Sequence, residues 1–136
     1  MKLSTLLGFS IGYDTLGYGV VISHPGTIVV GDNNKIGNYA VLHTSTCVTG
    51  DGKMIGDGFY LSTGAKVVKK ITIGNNVIVG ANAVVNKSID RDNVLIAGIP
   101  AKIINEAETW YKRDNFSKRV DKIEKLKIQM FGVENI

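Results

Sequence analysis

Aliphatic residues recur at every sixth position along most of this chain, with a single one-residue slip. The series consists of Val30, Ile36, Leu42, Val48, Ile55, Leu61, Val67, Ile73, Val79 and Val85. An α-helix repeats about every 3.6 residues and an isolated strand about every two, so neither element produces this period. A coil made of short strands and tight corners does produce it. The period therefore predicts a parallel β-helix.

The residues on either side of each repeat position support this prediction. Glycine follows the repeat aliphatic at positions 31, 37, 56, 74 and 80, where a corner needs a left-handed backbone or a close approach of two chains. Two positions before the repeat aliphatic stands a second set of small or apolar residues: Ile28, Ala40, Phe59, Ala65, Ile71, Val77 and Ala83. These residues fit a second inward position on the same strand. Three six-residue units would then close one turn of about 18 residues.

The six-residue rhythm divides the chain into three parts. Residues 18–104 are expected to form about five turns of the coil, and residues 1–17 are expected to cap its first turn. Residues 105–136 contain apolar side chains at loosely helical spacing, among them Trp110, Val120 and Leu126, with Lys and Glu between them. The predicted fold class is all-β with a C-terminal helical tail. The tail is expected to pack on the coil or on a neighbouring subunit, and a membrane-surface or partner-docking helix is the alternative.

Composition limits the classes of function. The chain has 136 residues and one cysteine, so it cannot form an internal disulfide, and a reducing cytoplasm is the expected location. The net charge of +4 is modest and falls largely in residues 112–127, which does not indicate a nucleic-acid-binding stripe. No signal peptide is evident, and no stretch has the apolar length of a membrane span.

The two histidines are candidate catalytic residues because a neutral imidazole accepts a proton near neutral pH. His24 has the phase of an inward-facing aliphatic, yet Pro25 and Gly26 could turn it outward, and the sequence leaves its direction open. In a coil of 18-residue turns, His43 lies one turn above Pro25 and close to His24. A hydrogen-bonded structural role is the alternative for each ring. Two histidines do not supply the three imidazole ligands of a zinc carbonic anhydrase, and no metal is expected.

Four segments resemble the left-handed β-helix hexapeptide-repeat acyltransferases, and within them the C-terminal catalytic domain of the serine acetyltransferases. The segments are residues 24–31 (HPGTIVVG), 64–67 (GAKV), 72–87 (TIGNNVIVGANAVVNK) and 97–104 (AGIPAKII). This resemblance implies left-handed winding and a homotrimer with active sites between subunits. It also implies acetyl-CoA as a co-substrate.

The resemblance also implies roles for single residues. His24 occupies the place of the family's catalytic base, and Asp14 is the candidate carboxylate that would orient its ring. Thr63 and Ala81 match positions along the pantetheine groove. The positions that match the surroundings of the adenosine phosphates are Asn86, Lys87 and Lys102, and lysine suits a multiply charged phosphate.

Departures from the serine acetyltransferases bear on the acceptor. Those enzymes carry an Asp before the catalytic His and a longer loop with an Arg-His pair, whereas this chain has Ser23 and a short segment at 50–53. Its arginines all come late in the chain, at 91, 113 and 119, so no guanidinium is expected near the histidines to bind a substrate carboxylate. The sequence therefore favours an acetyl-CoA-dependent O-acetyltransferase that acts on a small hydroxyl-bearing acceptor, a sugar of a surface-polysaccharide pathway. Serine O-acetylation and a non-catalytic β-helix assembly module are the alternatives.

Overall fold

The computed structural model describes residues 7–131. The first part of the expected cap, residues 1–6, and the end of the tail, residues 132–136, lie outside the described residues. The strands are β1 (Phe9–Ile11), β2 (Ile28–Val30), β3 (Lys35–Ile36), β4 (Val41–Leu42), β5 (Thr46–Val48), β6 (Met54–Ile55), β7 (Tyr60–Leu61), β8 (Lys66–Val67), β9 (Thr72–Ile73), β10 (Val77–Val79), β11 (Val84–Val85), β12 (Val94–Ala97) and β13 (Lys102–Glu106). The helices are α1 (Trp110–Arg113) and α2 (Ser117–Phe131).

The strands form three sheets that are the three faces of a coil. Their orders are β1-β2-β5-β8-β11, β3-β6-β9 and β4-β7-β10-β12-β13. Neighbours in each sheet pair in parallel, except that β13 turns back antiparallel to β12 at the end of the coil. Because consecutive strands from β2 to β12 belong to different sheets, the chain winds round a common axis. The predicted parallel β-helix is confirmed.

The number of residues in one turn varies more than the six-residue period predicts. Ile28 pairs with Thr46, which is the expected separation of 18 residues. Lys35, however, pairs with Met54, and an isolated bridge joins residues 21 and 41. The corners absorb the additional residues, and the inward positions stay in phase.

The core of the coil consists of the two inward sets predicted from the sequence. Both sets are buried, with no member more than 7% exposed. Phe59 is the largest aromatic side chain among the fully buried ones. Each buried aliphatic side chain contributes about 1.5 to 3 kcal/mol, so a ladder of them can hold the coil together without helices over every face.

A ladder of Asn and Asp side chains supports one edge of the coil. The Asp57 Oδ1 accepts the N–H of Asn38 at 2.8 Å, and the Asn75 Oδ1 accepts the N–H of Asp57 at 2.8 Å. Gly37 lies beneath this ladder, and a Cβ at that position would stand 2.8 Å from the Asp57 nitrogen. This corner therefore needs glycine for close approach.

The C-terminal segment packs back on the coil, as the helical spacing predicts. Trp110 is buried at the start of α1, and its Nε1 donates to the Tyr39 carbonyl at 2.7 Å. Val120 of α2 is buried in the same cluster, which also includes Tyr39 and Val41 of the coil. Lys127 anchors the far end of α2, where its Nζ donates to the Tyr18 hydroxyl at 2.7 Å. Among residues 7–131, neither helix has the length and apolar character needed to cross a bilayer.

Candidate active site

His43 is held in a fixed orientation on the outside of the coil. It directly follows β4 and is half-buried. Because β4 pairs with β7, Tyr60 at the start of β7 lies beside it, and the Tyr60 hydroxyl is 2.8 Å from the His43 Nε2. The ring centroids are 5.2 Å apart. A neutral imidazole that carries its proton on Nδ1 accepts the phenol proton at Nε2 in this geometry.

His24 is turned outward. It lies in the loop before β2 and is exposed, so the structure decides the direction that the sequence left open. The reason is local, since Gly26 has a φ of 149°, a backbone conformation that takes the chain out of the strand geometry. Within residues 7–131 we find no hydrogen bond to the His24 ring. The loop that holds His24 runs beside the segment that follows His43, since the Ser45 N–H donates to the Thr27 carbonyl at 2.7 Å, so the two imidazoles lie in one region of the surface.

The surroundings of His43 keep its ring neutral. Burial lowers the pKa of His43, and the nearby charges of His24 and Arg113 lower it further, whereas Asp114 opposes the shift. The unperturbed pKa of histidine is about 6.5, so the downward shift favours the neutral form of His43 at pH 7. A neutral ring at this place does not repel a positive charge on His24.

Arg113 stands beside the His43–Tyr60 pair although it is far from both residues in the sequence. Its guanidinium carbon lies 4.5 Å from the centroid of the Tyr60 ring, a cation–π contact. Its Nε donates to the Asp114 Oδ1 at 2.7 Å and its Nη2 to the Asp114 Oδ2 at 3.0 Å. The expectation that no guanidinium lies near the histidines is therefore wrong. The spacing of the tail predicted that it packs on the coil, but no signal in the sequence indicated where.

Asp14 forms no hydrogen bond or ion pair with His24 within the described part of the chain. It is exposed, and its Oδ2 lies 3.0 Å from the Lys35 Nζ, which also donates to the Asp14 carbonyl at 2.8 Å. The carboxylate that acts on His43 is Asp114, which raises the pKa of that ring against the effect of its burial. A role for Asp14 as the orienting carboxylate stays a prediction.

The candidate acetyl-CoA residues lie in the last turns of the coil. Thr63 and Ala81 are exposed at one corner on adjacent turns, where the Thr63 carbonyl accepts the N–H of Asn82 at 2.9 Å. Lys87 and Lys102 are exposed further along the coil.

Asn86, which directly precedes Lys87, has an unsatisfied acceptor. Its Oδ1 is buried and has no hydrogen-bond partner in the part of the chain that the structure describes. A buried polar atom is usually hydrogen-bonded, so this oxygen is a place for a donor from a ligand. Exposed lysines beside an unsatisfied amide oxygen fit the phosphates and amide groups of acetyl-CoA.

Lys53 is a buried cation that the sequence analysis missed. Its side chain is fully buried, and its Nζ donates to the Thr49 carbonyl at 2.6 Å, the Thr49 Oγ1 at 2.8 Å and the Asp51 Oδ1 at 2.7 Å. The bond from Lys53 lowers the pKa of Asp51. Lys53 thus holds together the short segment at 50–53. In the sequence, the only indication of a buried lysine was its position directly after Gly50, Asp51 and Gly52, in a segment too short to be an open loop.

The site contains no metal centre within residues 7–131, where no group of three His, Cys, Asp or Glu side chains lies close enough to hold an ion. The side chains that the structure gathers there are imidazoles, a phenol and an Arg-Asp pair.

Comparisons with known proteins agree with this architecture. Residues 52–87 match the family described as "Bacterial transferase hexapeptide (six repeats)". The solved structure of a serine acetyltransferase from Neisseria gonorrhoeae superposes with a TM-score of 0.68 at 25% identity, over 84% of this chain and 46% of that one. The chain belongs to the left-handed β-helix hexapeptide-repeat acyltransferase superfamily. The left-handed winding implied by the resemblance is confirmed with it.

Members of the superfamily with different acceptors are similar to this chain. A serine acetyltransferase of Synechococcus elongatus is 32% identical over 96 residues, which are 65% of this chain and 39% of that protein. WbbJ of Escherichia coli, named as a lipopolysaccharide biosynthesis O-acetyl transferase, is 46% identical over 57 residues, 39% of this chain and 29% of that one. A perosamine N-acetyltransferase variant from Caulobacter crescentus, solved with CoA and GDP-perosamine, has a TM-score of 0.54 at 27% identity over 73% of this chain and 54% of that one. This chain spans less than half the length of these curated relatives.

The pKa of His43 gives a direct test of this geometry. Arg113→Gln should raise that pKa towards about 6.5, because it removes a positive charge, and Asp114→Asn should lower it further. Ring signals in NMR titrations of the two variants measure both shifts. Shifts of the same sign in both variants would contradict the placement of the pair beside His43.

The same shift predicts how stability depends on pH. Since folding lowers the pKa of His43, the unfolded chain binds more protons in the window between the folded pKa and about 6.5. Stability should therefore fall as the pH drops through that window. The fall should be smaller in Arg113→Gln than in the native protein, as measured by urea unfolding at pH 7 and at pH 5.

Proposed function

We propose that this protein transfers the acetyl group of acetyl-CoA to a hydroxyl of a small acceptor, with His24 as the general base. The observation that carries the proposal is the exposed His24 ring, in a loop that runs beside the segment after His43, on a coil whose relatives are named acetyltransferases. A second copy of the chain would complete the acetyl-CoA groove, in a homotrimer with active sites between subunits. We expect the protein in a reducing cytoplasm because it has a single cysteine.

The proposed reaction needs one proton acceptor and no metal. A neutral nitrogen of His24 takes the acceptor's hydroxyl proton while that oxygen attacks the thioester carbonyl. As the tetrahedral intermediate collapses, the carbon–sulfur bond breaks, and the imidazolium returns the proton to the leaving thiolate. Backbone N–H groups of a glycine-rich corner would hold the oxyanion. The products are an acetyl ester and free CoA.

His43 and Tyr60 would support this base. Their hydrogen bond fixes the His43 ring, and burial keeps it uncharged, so the positive charge that forms on His24 meets no second imidazolium. The Arg113 guanidinium, which lies on the Tyr60 ring, would form the edge of the site on the side where the acceptor binds.

Two acceptors are supported by specific observations. A sugar hydroxyl of a surface-polysaccharide pathway is supported by the similarity to WbbJ, and the similarity to the perosamine N-acetyltransferase supports a sugar as the acceptor but not a hydroxyl as the group acetylated. The serine hydroxyl is supported by the similarity to the serine acetyltransferases, although the Arg113 guanidinium beside the site is already paired with Asp114. An assay of CoA release with L-serine and with a panel of sugars tests both. Failure of acetyl-CoA to bind at millimolar concentration would sink the proposal as a whole.

Acetyl-CoA binding should depend on the two lysines of the last turns. Lys87→Gln and Lys102→Gln should each weaken CoA binding by about three- to tenfold, because each removes a cation from the expected phosphate site. Lys70→Gln is the matched control, since Lys70 is also exposed on the coil. Calorimetry with CoA and with pantetheine, which lacks the adenosine phosphates, measures the effect. Equal losses with both ligands would contradict the phosphate assignment.

A further inference from the structure

The side of α2 that faces away from the coil has an unusual composition. In an α-helix each residue turns about 100°, and eight exposed residues of α2 follow one another round an arc of about 160°. In angular order they are Lys125, Lys118, Gln129, Lys122, Leu126, Arg119, Met130 and Ile123. We call this surface the outer arc of α2. The buried residues Val120 and Lys127 lie on the side packed against the coil.

The outer arc is strongly positive. It contains three lysines and one arginine and no acidic residue. Within residues 7–131 none of these four cations forms an ion pair. The ion pair within α2 joins Lys127 to Glu124 at 3.0 Å on the side that faces the coil. Both residues hydrogen-bond the Tyr18 hydroxyl and so hold α2 to the coil. The cations of the arc are thus available to an external anion.

The outer arc is also apolar along one half. Met130 is 71% exposed, Leu126 is 45% exposed and Ile123 is 37% exposed, and Arg119 stands among them. A soluble anion or a nucleic acid would satisfy the cations but would leave these side chains in water. A ligand surface with an anionic outer layer and an apolar layer beneath it would bind both the cations and the apolar side chains of the arc. The aliphatic part of each lysine would lie along the apolar layer, and its ammonium group would reach the anionic layer.

We propose that the outer arc of α2 docks this protein on a phospholipid bilayer that contains anionic headgroups, with α2 lying in the plane of the surface. Leu126, Met130 and Ile123 enter the boundary of the acyl chains, and the four cations bind the headgroups. The inner side of α2 stays fixed to the coil through Lys127 and Val120, so the coil is held at the membrane as one body with the helix. This inference does not depend on the proposed acetyl transfer.

Vesicle sedimentation tests the electrostatic half. The full chain should sediment with vesicles of phosphatidylcholine and phosphatidylglycerol, bind pure phosphatidylcholine weakly, and be released at high salt. Each cation contributes about fivefold to partitioning, so Lys118→Gln, Lys122→Gln and Lys125→Gln combined should weaken binding by about 100-fold.

The matched control combines Lys66→Gln, Lys69→Gln and Lys70→Gln, three exposed lysines of the coil. Equal losses in the two triple variants would overturn the proposal, as would failure of the native protein to sediment with anionic vesicles.

A second pair of variants tests the apolar half. Leu126→Gln with Met130→Gln should weaken binding to anionic vesicles by at least about tenfold, since it removes two of the three apolar side chains of the arc. Met54→Gln is the control, because Met54 is 58% exposed on the coil and should leave binding unchanged. Circular dichroism checks that α2 persists in every variant. If Leu126→Gln with Met130→Gln changes the mass in solution but not vesicle binding, the arc is a contact between copies of the chain, and the membrane proposal is overturned.

Discussion

His24→Ala should lower the rate of acetyl transfer by about 10² to 10⁴-fold, the loss expected when a general base is removed. The structure supports an experiment that isolates chemistry from folding. The His24 ring is exposed, and we find no hydrogen bond to it within residues 7–131, so its removal should leave the stability of the coil unchanged. Calorimetric binding of acetyl-CoA should also be retained, because the candidate residues for that ligand lie on later turns.

His43→Ala is the matched comparison for this experiment. His43 is half-buried and bonded to Tyr60, so its loss should affect both stability and the orientation of the site, with a smaller effect on the rate than His24→Ala. If His24→Ala keeps full activity and His43→Ala abolishes it, the two histidines have exchanged the roles proposed for them. If neither substitution changes acetyl transfer, an imidazole base is not part of the reaction.

Trp110→Ala should destabilise the packing of the C-terminal segment by about 3 to 5 kcal/mol, the usual cost of removing a buried aromatic side chain. Trp110 is 3% exposed, and its N–H bond to the Tyr39 carbonyl joins the tail to the coil. Its ring packs against Tyr111 and Phe116 within the tail, at centroid distances of 5.6 and 5.5 Å. Loss of this anchor should release α1, and with it Arg113, from the Tyr60 ring.

Two measurements separate release of the tail from unfolding of the coil. Limited proteolysis should cut the C-terminal segment of Trp110→Ala while the coil resists. The pKa of His43 should rise towards its usual value, because both burial and the Arg113 charge, which lower it, diminish. Trp110→Phe, which keeps an aromatic ring but removes the N–H donor, should cost only about 1 to 3 kcal/mol. An unchanged His43 pKa in Trp110→Ala would show that the tail does not shape the site.

The fold follows from the sequence because its physical cause is local and repeated. Every turn needs an aliphatic residue inside the coil and, next to it, a residue that tolerates a tight corner. The residue type therefore indicates the position: Val48 is buried in the core, and Gly37 lies at a corner. The amphipathic spacing of the tail predicted α2 for the same reason. The resemblance to known segments added the left-handed winding, which a spacing cannot reveal.

The site depended on contacts between residues that are distant in the sequence. Arg113 lies beside Tyr60 because the tail packs on the coil, with Trp110 fixed against Tyr39, and no pattern along the chain encodes that contact. The direction of His24 was likewise undecided, since the loop at Gly26 leaves the strand geometry that period counting assumes. The repeat in the sequence therefore determined the backbone and its core, because every turn has the same packing requirement. The tertiary structure alone decided the surroundings of the histidines, because these are formed by single side chains from segments that are far apart in the sequence.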